Sequence, residues 1–482
     1  MATSEIAEAF ERTCRDHRAD KALLWLPDAR ALTFGELHEH YGIIRGALRR
    51  HGVESGACVV SLLGNHPTFF PLVAACMDAG TALLPLGEAT DAEAAAIIGN
   101  AGASAVVTHR SLPLGVADSS LIDDGVSILR LPDQASSRSY GQSLVIKLTS
   151  GSTELPKATL TGERALVNDA RSIAAGMAIA ADDVNLAMIP LSHAYAISNI
   201  VTPLLLQGTG AALRPSFSPA QFLQDAQLSA ATVFPGVPFM FDRLRSVLEH
   251  EPLPAALRTL ITAGARIDPD TVRWFHDHAL RKIHSFYGAS ETGGITFDET
   301  DEVSDPLHVG RPLPGVQVDI LPEPGVEAAG RVFVRSQGMA SGYATTPTAE
   351  VDAGFRHGGF LTSDLGYLNP GNQLVLTGRV SPLVNVAGRK VDPAEVERVL
   401  VALPDVTDAR VVGIDCQTRG QELVAFVLRA DPSLTPLALR RACAATLSPY
   451  KIPRRFIFLD SWPADGRGKV DRRALEALAS DT

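Results

Sequence analysis

Lys147-Leu148-Thr149-Ser150-Gly151-Ser152-Thr153-Glu154-Leu155-Pro156-Lys157 is the stretch on which the reading of this chain turns. A strand-like, mainly apolar run from Leu144 to Leu148 leads into it. Thr149, Ser150, Ser152 and Thr153 then supply four hydroxyl groups, Gly151 lets backbone N–H groups approach closely, and Lys157 closes the stretch with a cation. That inventory suits a polyphosphate. In isolation, the same residues also describe a Ser/Thr-rich turn, and the flanking sequence has to separate the two.

Upstream, Leu32, Leu37, Tyr41, Ile44 and Leu48 recur at helical spacing, which predicts a helix over 32–50 and then a buried strand over 59–63. The alternation continues with a helix at 68–79, a strand at 82–86, a helix at 92–101 and a strand at 105–108. Such alternation favours parallel strands joined by helices. Beyond Gly310 the texture changes to short strand candidates at 316–321, 330–334 and 373–376, broken by Gly and Pro, which predicts a β-rich subdomain. After Ser381-Pro382 come helix candidates at 393–402 and 436–447 and strand candidates at 409–413, 423–428 and 455–459. The expected architecture is therefore α/β. A large N-terminal domain of α/β layers with a β-rich subdomain spans 1–380, and a small α+β C-terminal domain spans 381–482.

Bulk properties narrow the function. A chain of 482 residues exceeds the size at which single cores stop growing, so an interdomain cleft is expected. Lys and Arg number 43 against 54 Asp and Glu, and the net charge of -11 argues against a general nucleic-acid surface. The five cysteines lack a Cys-x-x-Cys pair and read as reduced packing residues. Charged residues run throughout 1–20 and no apolar run approaches a membrane span, so a cytoplasmic protein without a membrane span is expected.

Four further motifs follow the first stretch in order: Thr262-Ala263-Gly264-Ala265-Arg266, Tyr287-Gly288-Ala289-Ser290-Glu291-Thr292, Thr362-Ser363-Asp364 and Gly466-Arg467-Gly468-Lys469. Tyr287 offers an aromatic face, Gly288 a close backbone approach, Ser290 a hydroxyl donor, and Glu291 a hard oxygen ligand for Mg²⁺. A carboxylate such as Asp364 can accept both hydroxyls of a vicinal diol.

Together these motifs resemble those of the adenylate-forming superfamily, which includes acyl- and aryl-CoA synthetases, peptide-synthetase adenylation domains and luciferases. The resemblance spans nearly the whole chain. It implies that Thr149, Ser150, Gly151, Ser152, Thr153 and Lys157 grip ATP phosphates, and that Gly264, Ala265, Tyr287, Gly288 and Ser290 hold adenine and the α-phosphate. It also implies that Asp364 and Arg379 hold the ribose, and that Glu291 binds the metal. His193, in Pro190-Leu191-Ser192-His193-Ala194-Tyr195, matches a histidine beside the substrate carboxylate. Lys469 matches the lysine of the adenylation half-reaction, where a point cation bridges carboxylate and α-phosphate. Gly388, in the segment 384–397, matches a loop that lines the thiol tunnel after the C-terminal domain rotates.

The implied reaction is activation of a carboxylic acid by Mg·ATP to an acyl-adenylate, followed by thioester formation. Coenzyme A is the default acceptor. A stand-alone ligase loading an acyl-carrier protein, or a degenerate nucleotide-binding protein without ligase activity, are the alternatives. Amino-acid-activating relatives place an aspartate near His193, whereas here the run is His193-Ala194-Tyr195-Ala196, which disfavours an α-amino acid. Ala196, Ile197, Phe234, Gly236, Val237, Gly293 and Gly294 adjoin the motifs and suggest a pocket for an apolar tail, fatty or aryl. The short connection from Asp364 to Arg379 lacks the inserted segment that fatty-acyl-AMP ligases carry. Two departures stand out. Glu154 takes a loop position usually held by glycine, and Ser381 takes a hinge position usually held by aspartate or lysine. A carboxylate about 4 Å from one phosphate charge would be opposed by roughly 4 kcal/mol at an intermediate dielectric, so Glu154 is expected to face solvent.

Overall fold

The structure is a computed structural model that describes residues 4–87, 89–123, 125–132, 138–142, 144–149, 157–304, 307–323, 329–344, 354–379, 383–416, 420–463 and 472–480. The side chains of Thr149, Lys157, Arg379, Ala394, Arg472 and Arg473 lie outside that description. The chain divides into two compact units. The first comprises Met1–Gly87, Ile98–Leu148 and Ala158–Val380; the second comprises Ser381–Thr482 with two short earlier stretches, Glu88–Ile97 and Thr149–Lys157.

Two large sheets and one smaller sheet build the first unit. In one large sheet, Leu144–Thr149, Ala82–Pro85, Cys58–Leu62 and Ala103–Thr108 run parallel as neighbours. Cys58–Leu62 is buried along its whole length, as expected of a strand covered on both faces. The other large sheet runs in the order Arg311–Pro312, Gly293–Phe297, Ile283–Ala289, Thr259–Thr262, Val233–Gly236, Val184–Ala187, Gly210–Leu213, Lys21–Trp25 and Arg30–Thr33. Its middle strands are parallel. The predicted helix over 32–50 begins at Phe34 instead, because Leu32 pairs with Leu23 in the edge strand. Thr33 and Glu36 then start the helix with a capping box. The Thr33 hydroxyl accepts from the Glu36 N–H at 3.2 Å, and the Glu36 carboxylate accepts from the Thr33 N–H at 2.7 Å.

The β-rich part is an antiparallel sheet of Gln317–Pro322, Gly330–Arg335, Gly359–Leu368, Phe355–Arg356 and Leu374–Arg379. In the second unit Val406–Cys416 and Gly420–Arg429 form a long antiparallel pair, with Arg455–Leu459 parallel to the latter. Val396, Leu400, Val411, Leu423, Ala425, Leu439 and Cys443 fill its core between sheet and helices. Four of the five cysteines are buried and none is in a disulfide; burial pushes the Cys58 and Cys76 thiols up to about 12, as inert packing groups require. Among the described residues, no helix is long and apolar enough to cross a membrane.

Candidate active site

Parallel pairing gathers the scattered motifs. Val233–Gly236 pairs in register with Thr259–Thr262, and Thr262 lies opposite Ser285 of Ile283–Ala289. Parallel strands release their chains at one sheet edge, where ligands of open α/β sheets bind. Val237, Gly264-Ala265 and Tyr287 through Glu291 therefore emerge together. The strand Val184–Ala187, next in the sheet, sends its chain from the same edge toward His193. Gly264 has φ of +85°, a backbone state that favours glycine. His193 is exposed and stands at the N-cap position of the short helix Ala194–Ala196, which passes directly into a π-helix, Ile197–Val201. Such π segments are frequent at functional sites.

Tyr287 and Asp364 meet although they come from different sheets. The Tyr287 hydroxyl donates to Asp364 Oδ2 at 2.7 Å. The Asp364 N–H donates to Thr362 Oγ1 at 3.1 Å, two residues earlier in the same strand. Antiparallel register places Arg379 directly opposite Asp364. Gly288 has a structural reason of its own: a Cβ there would lie 2.9 Å from the Gly293 carbonyl oxygen across the hairpin.

Ser290 and Glu291 occupy the turn of that hairpin. Thr159 Oγ1 donates to the Ser290 carbonyl at 3.5 Å, and the Ala340 N–H donates to the Glu291 carbonyl at 2.9 Å. The half-buried Glu291 carboxylate accepts from the Tyr343 hydroxyl at 3.0 Å. Among the described residues, no group of three or more His, Cys, Asp or Glu side chains could cage a metal ion. A single carboxylate fits Mg²⁺ of the kind that is completed by substrate phosphates and water rather than by an all-protein cage.

Several expected residues lie outside the described region: Ser150, Gly151, Ser152, Thr153 and Glu154 of the first stretch, Ser381, and Lys469. The backbone on either side of that stretch is described. Thr149 ends one strand and Lys157 begins its neighbour, Lys157–Gly162, in the same sheet. Gly388 is in the second unit. With Ala387 it makes a two-residue turn between Val384–Val386 and Arg389–Val391, at φ of 51° and 84°.

The sequence motifs assign no role to Asp169, Lys147, Ser198 or Tyr343. Asp169 lies on the buried face of the helix Glu163–Met177, among Leu166, Ala170 and Ile173. Its Oδ2 accepts from Ser198 Oγ at 2.6 Å and its Oδ1 from the Gly294 N–H at 2.8 Å. Burial pushes its carboxyl up from the usual carboxylate range, opposed by Lys147, Ser198 and Gly294. Burial pulls the Lys147 ammonium down, opposed by Asp169 and then Glu291. The available signal was a charge at a position where the helical or strand pattern calls for an apolar residue.

Comparison with known proteins agrees with this geometry. The sequence profile of the AMP-binding enzyme family matches residues 10–344, and that of the AMP-binding enzyme C-terminal domain matches residues 395–469. A 2-succinylbenzoate–CoA ligase from Enterococcus faecalis is 31% identical over 67% of each chain. One from Geobacillus kaustophilus is 28% identical over 94% of each. Among solved structures, a double mutant of o-succinylbenzoate CoA synthetase from Bacillus subtilis, bound with a product analogue, superposes with a TM-score of 0.84. It covers 97% of this chain and 98% of its own, at 21% identity, and so bears on fold alone.

Proposed function

Because the chain belongs to the AMP-binding enzyme family, we propose that it activates a carboxylic acid with ATP and transfers the acyl group to coenzyme A. The observation that carries the residue assignment is the Tyr287–Asp364 hydrogen bond, four residues before the half-buried Glu291. It brings together an aromatic face suited to adenine and a carboxylate suited to the ribose diol, and the hairpin turn that follows Tyr287 carries Glu291, a carboxylate suited to a metal.

In the first step a carboxylate oxygen of the acid attacks the α-phosphorus, the bond to pyrophosphate breaks, and an acyl-adenylate forms. Gly264 and Ala265 border the base, Asp364 and Arg379 hold the ribose, and the stretch from Thr149 to Lys157, with Ser290, grips the phosphates. His193 orients the acid carboxylate through a charge-assisted hydrogen bond. Lys469 bridges carboxylate and α-phosphate as charge redistributes. Glu291 would hold Mg²⁺, which supplies neutralisation of phosphate charge when bound. In the second step the coenzyme A thiol attacks the acyl carbon and AMP departs, with Gly388 beside the thiol arm.

The acid carries an apolar tail, and an aryl tail is the favoured form. The Tyr195 and Phe286 rings, 5.6 Å apart beside the expected pocket, support this, as do relatives named for 2-succinylbenzoate. ATP–pyrophosphate exchange across fatty, aryl and amino acids tests the proposal, followed by thioester assay with coenzyme A and with a phosphopantetheinylated carrier protein. Exchange with aryl or fatty acids and transfer to coenzyme A are expected. No exchange with any acid refutes the activity, and transfer to the carrier alone refutes the acceptor.

A further inference from the structure

We propose that Asp169, with the buried Lys147 as its companion, is a positioning residue for the acid substrate: its buried carboxyl group fixes Ser198 and the Gly293-Gly294 wall of the acid pocket. The inference rests on the functional reading above, which puts the acid between the segment after His193 and the segment after Glu291.

Asp169 is 2% exposed and ties together segments far apart in sequence. One carboxylate oxygen holds the Ser198 hydroxyl in the π-helix, five residues beyond His193; the other holds the Gly294 N–H, three residues beyond Glu291. Its volume also explains two glycines. A Cβ on Gly293 would stand 2.4 Å from Asp169 Oδ1, and a Cβ on Gly338 would stand 2.9 Å from the Asp169 Cβ. Gly293 has φ of +73° as well, so the backbone there is shaped to receive the carboxylate.

Lys147 is the second buried ionisable group of this region. It is 2% exposed within the strand that leads into the phosphate-gripping stretch, and its Nζ makes no hydrogen bond among the described residues. Its electrostatic neighbours are Asp169 first and Glu291 second. Buried opposite charges add little net stability over well-packed apolar residues, so stability alone is a weak reason for such a pair. What Asp169 does provide is direction. Its hydrogen bonds go to a hydroxyl and a backbone N–H at the expected pocket wall.

The test measures pyrophosphate exchange with the best acid of the panel, varying acid and ATP separately, in Lys147→Met, Asp169→Asn, the double variant, and Ser198→Ala. Each charge-removing single variant is expected to raise the acid KM about tenfold or more while the ATP KM stays within about threefold. The double variant, which keeps side-chain size but removes both charges, should be less impaired than the two single losses multiplied together. Ser198→Ala, which leaves the couple intact, should raise the acid KM about fivefold. An unchanged acid KM, or an ATP KM rising by the same factor, overturns the inference. If the charge variants do not fold, Ser198→Ala decides alone, and an unchanged acid KM there overturns it. Absence of exchange in the wild-type protein would overturn the acid-activating reading itself and take the inference with it. Wild-type exchange with unaltered variants overturns only the inference.

Discussion

Tyr287→Phe deletes one hydroxyl and leaves the ring in place, so it isolates the 2.7 Å hydrogen bond to Asp364 Oδ2. Asp364 is 9% exposed, which limits how well water can replace the lost donor. A hydrogen bond to a charged acceptor contributes about 1.5–3 kcal/mol. Bound ribose would use part of the same acceptor capacity, so roughly 1–2 kcal/mol should reach nucleotide binding, an increase of about 5–30-fold in the ATP KM. The acid does not share this bond, and its KM should stay within about twofold. The assay is pyrophosphate exchange at saturating acid with ATP varied, alongside a thermal melt to confirm folding. An ATP KM within twofold of wild type, or an acid KM rising in parallel, would refute the assignment of this bond to the nucleotide site.

Lys469→Ala should lower the adenylation rate by about a hundredfold or more, and unchanged exchange would remove Lys469 from the mechanism. Glu154→Gly should leave ATP binding equal or tighter, since it deletes a negative charge from the stretch proposed to grip phosphate; calorimetry showing a large loss would mean that Glu154 has a positive role. Lys282 Nζ pairs with Asp298 Oδ2 at 2.7 Å and donates to the carbonyls of Thr300 and Glu302, with both ions almost fully buried. Lys282→Met strands the Asp298 charge and should cost about 3–5 kcal/mol in urea unfolding; a loss below about 1 kcal/mol would sink that account. Burial against Trp25 and His109 pushes His66 down to about 4. The unfolded chain therefore takes up a proton below about pH 6.5 while the folded protein stays neutral, and stability should fall by about 1–2 kcal/mol from pH 7 to pH 5. Urea unfolding of His66→Gln should show a flatter acid limb, and an identical slope would discount the histidine.

Periodicity was enough to read the layers. Strand and helix candidates from 59 to 108 return as Cys58–Leu62, Phe69–Asp78, Ala82–Pro85, Asp91–Asn100 and Ala103–Thr108, because each buries one face or both and so carries its pattern in its letters. The start of the helix at Phe34 was misplaced by two residues because Leu32 is apolar in either setting. Only its pairing with Leu23 assigns it to a strand. In the second unit, Val406–Cys416 and Gly420–Arg429 run longer than their apolar cores suggested, since their exposed ends carry polar residues that periodicity does not count.

The motif residues were legible one by one, as residue types able to stack, coordinate or donate, and their order along the chain carried the resemblance. Their assembly was not. Tyr287 and Asp364 are far apart in sequence, and their hydrogen bond exists because a parallel sheet and a separate antiparallel sheet present both side chains to one place. Asp169 and Lys147 show the same limit. Local pattern could flag each as a charge at an apolar position, but a charge inside a core is tolerable only beside its partners. The composition and local spacing of this chain settle which elements form and which chemistry its residues can support. Tertiary packing decides which of them meet, because hydrogen bonds and Coulomb forces act over a few ångströms of space whatever the distance along the chain.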